Sequence, residues 1–184
     1  MEEYAKPKDK RTILLIGMMG AGKSTVGFAL SQRLNIKFID TDDVIEKTEG
    51  KSMNEIFSDK GASYLQNLEK DVIKNVLLNK QPQVVSIGGN AYDDDDNRKI
   101  IKQNSITVYL EVEYDVLLER VKRKNTRPLL EQGDKVEVFK KIFDEKTPIY
   151  KSADIIINTT YLNKETAINL ILKSINDYIV ENSE

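Results

Sequence analysis

The sequence predicts an α/β fold: a central five-stranded parallel sheet with helices packed on both of its faces. Three observations predict it. Five short runs of aliphatic and β-branched residues recur along the chain, three of them almost continuously apolar, as strands buried on both faces must be. Between them lie longer stretches whose apolar residues fall three and four apart, the spacing of amphipathic helices. Strand and helix alternate, so parallel strands are joined by right-handed crossovers and ligands are expected at the carboxyl ends of the strands.

The opening MEEYAKPKDKR is charged throughout and unlike a secretory signal, so residues 1–11 are expected to be a disordered lead-in to a single domain over residues 12–184. Thr12–Gly17 (TILLIG) is the first strand, Lys23–Leu34 the first helix and Lys37–Asp40 (KFID) the second strand. Val44–Lys47, Met53–Ser58 and Leu65–Leu78 then have helical spacing, before Gln83–Ile87 (QVVSI) returns to the strand pattern. Asp94–Gln103 is the next helix, Thr107–Glu111 (TVYLE) the fourth strand, and Tyr114–Arg123 and Val136–Tyr150 two further helices. Asp154–Asn158 (DIIIN) is the last strand, and Ala167, Leu170, Ile171, Ile175, Tyr178 and Ile179 form the apolar stripe of a closing helix. The run Asp93–Asp96 is the only biased segment. It reads as a solvated face or a helix N-terminus, where acidic side chains meet the positive end of the helix dipole, in preference to a cation site.

Composition excludes several function classes. A chain of 184 residues with 40% hydrophobic and 32% charged residues is large enough and apolar enough for one globular domain. The formal charge of −2 supplies no basic field for a nucleic acid backbone. With 0 Cys there is no disulfide, thiolate metal site or thiol nucleophile, and with 0 His there is no histidine base. No apolar run approaches the roughly 18 residues of a membrane span. A cytoplasmic monomer that engages neither nucleic acid nor membrane is the expectation.

The strongest motif is Gly17–Ser24, G-M-M-G-A-G-K-S, which satisfies G-x-x-x-x-G-K-[ST] at every specified position and lies between a strand and a helix, as its chemistry requires. Backbone N–H groups of such a loop converge on phosphate oxygens, and the helix behind it presents its positive end. Gly17, Gly20, Ala21, Gly22, Lys23, Ser24 and Thr25 are the candidate nucleotide-binding residues, with Lys23 neutralising β- and γ-phosphate charge and Ser24 a Mg²⁺ ligand. ATP is favoured, although the loop itself does not separate it from GTP. The second strand ends in F-I-D-T-D-D, which points Asp40 and Asp42 toward the same phosphates. Asp40 reads as a partner of Mg²⁺-bound water and Asp43 as a helix N-cap.

In order, these pieces resemble the shikimate kinase family, a branch of the P-loop kinases. The matching text is Gly17–Gly27 (GMMGAGKSTVG), Phe38–Glu46 (FIDTDDVIE), Glu55–Phe57 (EIF), Leu68–Glu69, Gly88–Gly89, Val108–Leu110 (VYL), Arg127–Leu130 (RPLL) and Pro148–Asp154 (PIYKSAD). The resemblance implies a three-layer P-loop kinase fold with a mobile lid, here at about residues 124–135, and ATP- and Mg²⁺-dependent phosphorylation of a hydroxyl of shikimate, a small-molecule substrate of aromatic amino acid biosynthesis. It also implies roles by position: Asp42 holds the substrate hydroxyls and accepts the reacting proton, Arg127 reaches the transferred phosphate from the lid, and Arg120 stacks on adenine.

The same resemblance exposes three departures in the acceptor pocket. The family's third glycine is Asn90 after Gly88 and Gly89, its carboxylate-binding arginine is Gln66, and a second arginine is Lys146 in E-K-T-P-I-Y. Asn tolerates unusual backbone angles, so the turn is expected to survive with the Asn90 side chain projecting into the site. Lys146 keeps the charge but not the bidentate fork. Two alternatives therefore stand beside a working shikimate kinase: a kinase of the same fold for another hydroxylated substrate, and a nucleotide-binding protein that has lost the transfer activity.

Overall fold

The order of the strands decides where the site lies. In the computed structural model, which describes residues 11–79, 81–123 and 135–182, β1 (Thr12–Ile16), β2 (Lys37–Asp40), β3 (Gln83–Ser86), β4 (Ser105–Glu111) and β5 (Ile155–Asn158) form one sheet in the order β2-β3-β1-β4-β5. Every pairing is parallel, with Leu14 of β1 opposite Val85 on one side and Thr107 on the other. The chain leaves β1 toward β2 and leaves β3 toward β4, in opposite directions. A crevice therefore opens beyond the carboxyl ends of these two adjacent strands.

The helices are α1 (Lys23–Leu34), α2 (Thr41–Glu49), α3 (Met53–Leu78), α4 (Asp95–Asn104), α5 (Tyr114–Arg123), α6 (Lys135–Tyr150) and α7 (Lys164–Glu181). α1 packs with α7, and α3 packs with α4. Right-handed crossovers put these pairs on opposite faces of the sheet, giving three layers. The five residues of β1 are all buried, because its central place leaves both faces covered. Leu14, Leu15, Leu30, Val84, Ile101, Val108, Leu110 and Ile171 belong to the main core. A second, smaller apolar cluster of Ile45, Ile56 and Leu65 joins α2 to α3 away from it.

Three details differ from the sequence expectation. The two helical segments expected between residues 53 and 78 are merged into α3, bent at Gly61 (φ 79°, ψ 174°). β4 begins at Ser105 and not Thr107, since α4 ends at Asn104 and Ser105 passes directly into the sheet while its hydroxyl donates to Ile101 O at 2.7 Å. β5 is an edge strand with alternating burial, leaving Ile156 exposed, so its unbroken isoleucines are not covered on both faces. The expected lid, from residue 124 to the start of α6, and Arg127 within it lie outside the described residues, as do residues 1–10 of the expected lead-in.

Asp154 fastens the β4–β5 edge. Its Oδ2 accepts from Thr107 N at 2.8 Å and Thr107 Oγ1 at 2.6 Å, its own N donates to Thr107 Oγ1 at 2.8 Å, and its Oδ1 accepts from the Tyr178 hydroxyl at 3.2 Å. Thr107 is buried, so losing this acceptor strands polar groups away from water. Asp154→Ala is expected to lower unfolding free energy by about 3 kcal/mol. A urea titration checks it, and an unmoved midpoint would contradict the assignment.

Candidate active site

The loop after β1 is shaped by its backbone. Gly22 caps α1 at φ 90°, in the left-handed region that favours glycine, and no side chain caps the helix. The first amides of α1 are thus left for a ligand at the positive end of the helix. Lys23 Nζ reaches back over the loop and donates to Gly17 O at 2.9 Å and Met18 O at 3.3 Å. Arg120 of α5 closes the far side, with Nη1 donating to Gly20 O at 3.1 Å. This contact brings Arg120 to the loop from a point 100 residues away in sequence.

Ser24 and Asp40 meet directly: Ser24 Oγ donates to Asp40 Oδ2 at 2.6 Å. Asp40 is also the N-cap of α2, its Oδ1 accepting from Asp42 N at 3.1 Å. The cap expected at Asp43 is therefore Asp40, because the helix starts at Thr41, directly after β2, and leaves Asp43 in the exposed first turn. Ser24 and Asp40 bring one hydroxyl and one carboxylate, oxygen donors suited to Mg²⁺. Among the described residues no group of three or more acidic side chains could hold a metal ion by itself. An ion here would share its coordination with phosphate and water, as Mg²⁺ does in phosphoryl-transfer sites.

The glycine pair after β3 is explained by close approach. A Cβ on Gly88 would lie 2.7 Å from Asp42 Oδ1 and 3.0 Å from Glu69 Oε1. Only a residue without a side chain lets both carboxylates face this backbone. Gly89 then passes under α6, where its carbonyl accepts from Tyr150 OH at 3.0 Å and from Lys146 Nζ at 2.8 Å. The Tyr150 ring lies 5.4 Å from that of Tyr109 and 6.2 Å from that of Tyr92, all three buried. Burial first, and then the negative charge of Glu111, push the Tyr109 hydroxyl up to about 12, so it stays a neutral part of this floor.

A cavity of about 560 Å³ opens between α3, the segment after β3 and α6, and meets the loop after β1 at Met18 and Met19. Gln66, Gly89, Asn90 and Lys146 line it together. Asp42 and Gly88 meet beside Gly89, and Lys23, Ser24 and Asp40 adjoin across the loop. Asn90 needs no unusual backbone: among the described residues only Asn35 has a positive φ without being glycine. Its side chain does face the cavity, accepting at Oδ1 from Lys146 Nζ at 2.8 Å.

Sequence reasoning passed over Glu69, Lys70, Asp93 and Tyr150 as site residues, although all four line the cavity. Asp93 lay inside the acidic run. The structure divides that run: Asp94 caps α4, accepting from Asp96 N and Asn97 N, while Asp95 and Asp96 are exposed in the first turn. The Lys70 ammonium, 2.8 Å from Asp94 Oδ2, and then the Asn97 N–H hold the Asp94 carboxyl below its usual range. Asp93 instead pairs with Lys146 at 2.6 Å, across 53 residues of sequence.

Comparison with known proteins gives this geometry its relatives. The shikimate kinase family model matches residues 19–176. The chain belongs to the shikimate kinase family. A shikimate kinase of Bartonella quintana is 37% identical over 171 residues, covering 93% of this chain and 81% of the relative. That of Persephonella marina is 40% identical over 162 residues, covering 88% and 97%. The structure of the Acinetobacter baumannii shikimate kinase in complex with shikimate superposes with a TM-score of 0.86 at 31% identity, covering 91% of this chain and 93% of that one. As a member of the shikimate kinase family the chain is a phosphotransferase, and its parallel sheet is that of the family's P-loop kinase fold.

Proposed function

We propose that the protein transfers the γ-phosphoryl group of ATP to a hydroxyl of shikimate. The observation that carries this reading is the placement of the acceptor cavity: it adjoins the phosphate loop at Met18 and Met19, and Asp42 faces Gly88 next to it. A phosphoryl group held on the loop and a hydroxyl held at Asp42 would then be neighbours.

The loop amides from Gly17 to Thr25 bind the phosphates, and Lys23 exchanges its hold on Gly17 O for the β- and γ-phosphate oxygens. Ser24 and Asp40 would hold Mg²⁺, Asp40 through water, and the ion would offset phosphate charge. Asp42 orients the substrate hydroxyl and accepts its proton as the oxygen bonds to phosphorus and the bond to the β-phosphate oxygen breaks. Arg127 supports the charge on the transferred group from the lid. Arg120 flanks adenine. Gln66, Gly89, Asn90 and Lys146 take the carboxylate side of the acceptor, with Gly88 leaving room for Asp42. No helix of the described residues is long and apolar enough to cross a membrane, and the reading includes a cytoplasmic monomer without nucleic acid partners.

ADP release from Mg·ATP, measured with and without shikimate, tests the proposal. Turnover that requires shikimate is the expected result. Equal rates with and without it, in protein shown to bind ATP, would overturn the assignment.

A further inference from the structure

We propose that Asp93 is a specificity-determining residue: it occupies the Lys146 ammonium as an internal carboxylate and so sets how strongly the acceptor pocket takes an acid. The inference deepens the reading of this cavity as the shikimate site and rests on it.

An ammonium has three N–H donors, and Lys146 meets three acceptors: Gly89 O at 2.8 Å, Asn90 Oδ1 at 2.8 Å and Asp93 Oδ2 at 2.6 Å. Its side chain is only 12% exposed, so water does little to supplement them. A substrate carboxylate that approaches Lys146 must displace one of the three. Gly89 and Asn90 offer neutral oxygens. Asp93 competes in kind, carboxylate against carboxylate, and makes the shortest of the contacts.

Asp93 is a half-satisfied competitor. Its Oδ1 is buried and has no hydrogen-bond partner among the described residues, so the Lys146 contact is the side chain's principal anchor. The rest of the wall does not compensate. Glu69, Asp94 and Glu145 also line the cavity, and Lys70 is already paired with Asp94. Counting Asp93, the wall carries four carboxylates against two ammonium groups among the described residues. Removing the Asp93 charge therefore both releases Lys146 and lowers the repulsion that an incoming acid meets. Asp93→Asn is the informative change, because its amide oxygen still accepts from Lys146 and keeps the turn tied down.

The test uses the full chain at saturating Mg·ATP and compares KM for shikimate with KM for its uncharged methyl ester, in wild type and in Asp93→Asn. KM for the acid should fall about tenfold in the variant while KM for the ester moves less than about twofold. An acid KM that stays put or rises, or a parallel change for acid and ester, would overturn the inference and leave Asp93 as a structural tie. Thermal melting identifies a variant that does not fold, in which case Asp93→Ser is read in the same way. Absence of shikimate-dependent turnover in wild type would defeat the substrate reading separately. The pair is then judged by calorimetric binding of acid and ester to both proteins, where failure of Asp93→Asn to tighten the acid alone would defeat the inference as well.

Discussion

Replacing Lys23 with alanine is expected to lower shikimate-dependent ADP release by about a hundred- to a thousandfold. The ammonium is poised over the phosphate loop, 2.9 Å from Gly17 O and 3.3 Å from Met18 O. These two carbonyls are neutral, so a phosphate oxygen that replaced them would bring a gain in charge pairing. That gain grows as negative charge shifts during transfer, and for this reason the loss should fall chiefly on kcat. The fold should tolerate the change, with stability altered by about 1 kcal/mol for the two hydrogen bonds. Steady-state kinetics beside a melting curve separate the two effects. A variant that keeps a third or more of wild-type turnover would remove the loop from the chemistry.

Gly88→Ala is expected to cost about a hundredfold in kcat and about 1–3 kcal/mol of stability. The added methyl would sit 2.7 Å from Asp42 Oδ1 and 3.0 Å from Glu69 Oε1, both well inside van der Waals contact. Glu69 is buried, with 4% exposure, and has little room to retreat, so Asp42 must swing or the strand end must shift. Either movement displaces the proposed proton acceptor by a distance that matters for transfer. Rapid-quench kinetics would place the loss in the chemical step, while unchanged single-turnover rates would show that Asp42 need not stay where Gly88 lets it lie.

The parts legible in the sequence are those whose physics is local. β1 and the start of α1 are fixed by an aliphatic run and by glycines within a few residues of each other, so Lys23 and Ser24 could be located before any contact was known. The environment of β5 is not legible in the same way, because three isoleucines look the same at an edge as at a centre, and only the strand order tells them apart. Three aspartates stand within four residues at the start of α2, and whether Asp40 or Asp43 caps the helix depends on where the backbone first turns. Asp93 was hidden for a different reason. Its partner arrives from α6, so the pattern of four adjacent acids gave no sign that one of them is drawn inward while the next caps a helix.

The small cluster of Ile45, Ile56 and Leu65 gives the protein a measure of modularity. Gln66 and Ala62 present the α3 wall of the cavity from a helix that rests on this cluster, whereas the phosphate loop grows from β1 in the main core. The wall and the loop meet only where Met18 and Met19 line the cavity beside Ala62 and Gln66 among the described residues, so changes placed away from that seam are the ones expected to combine additively. The α3 side of acceptor recognition thus rests on a support of its own, separate from the core that carries the phosphate loop.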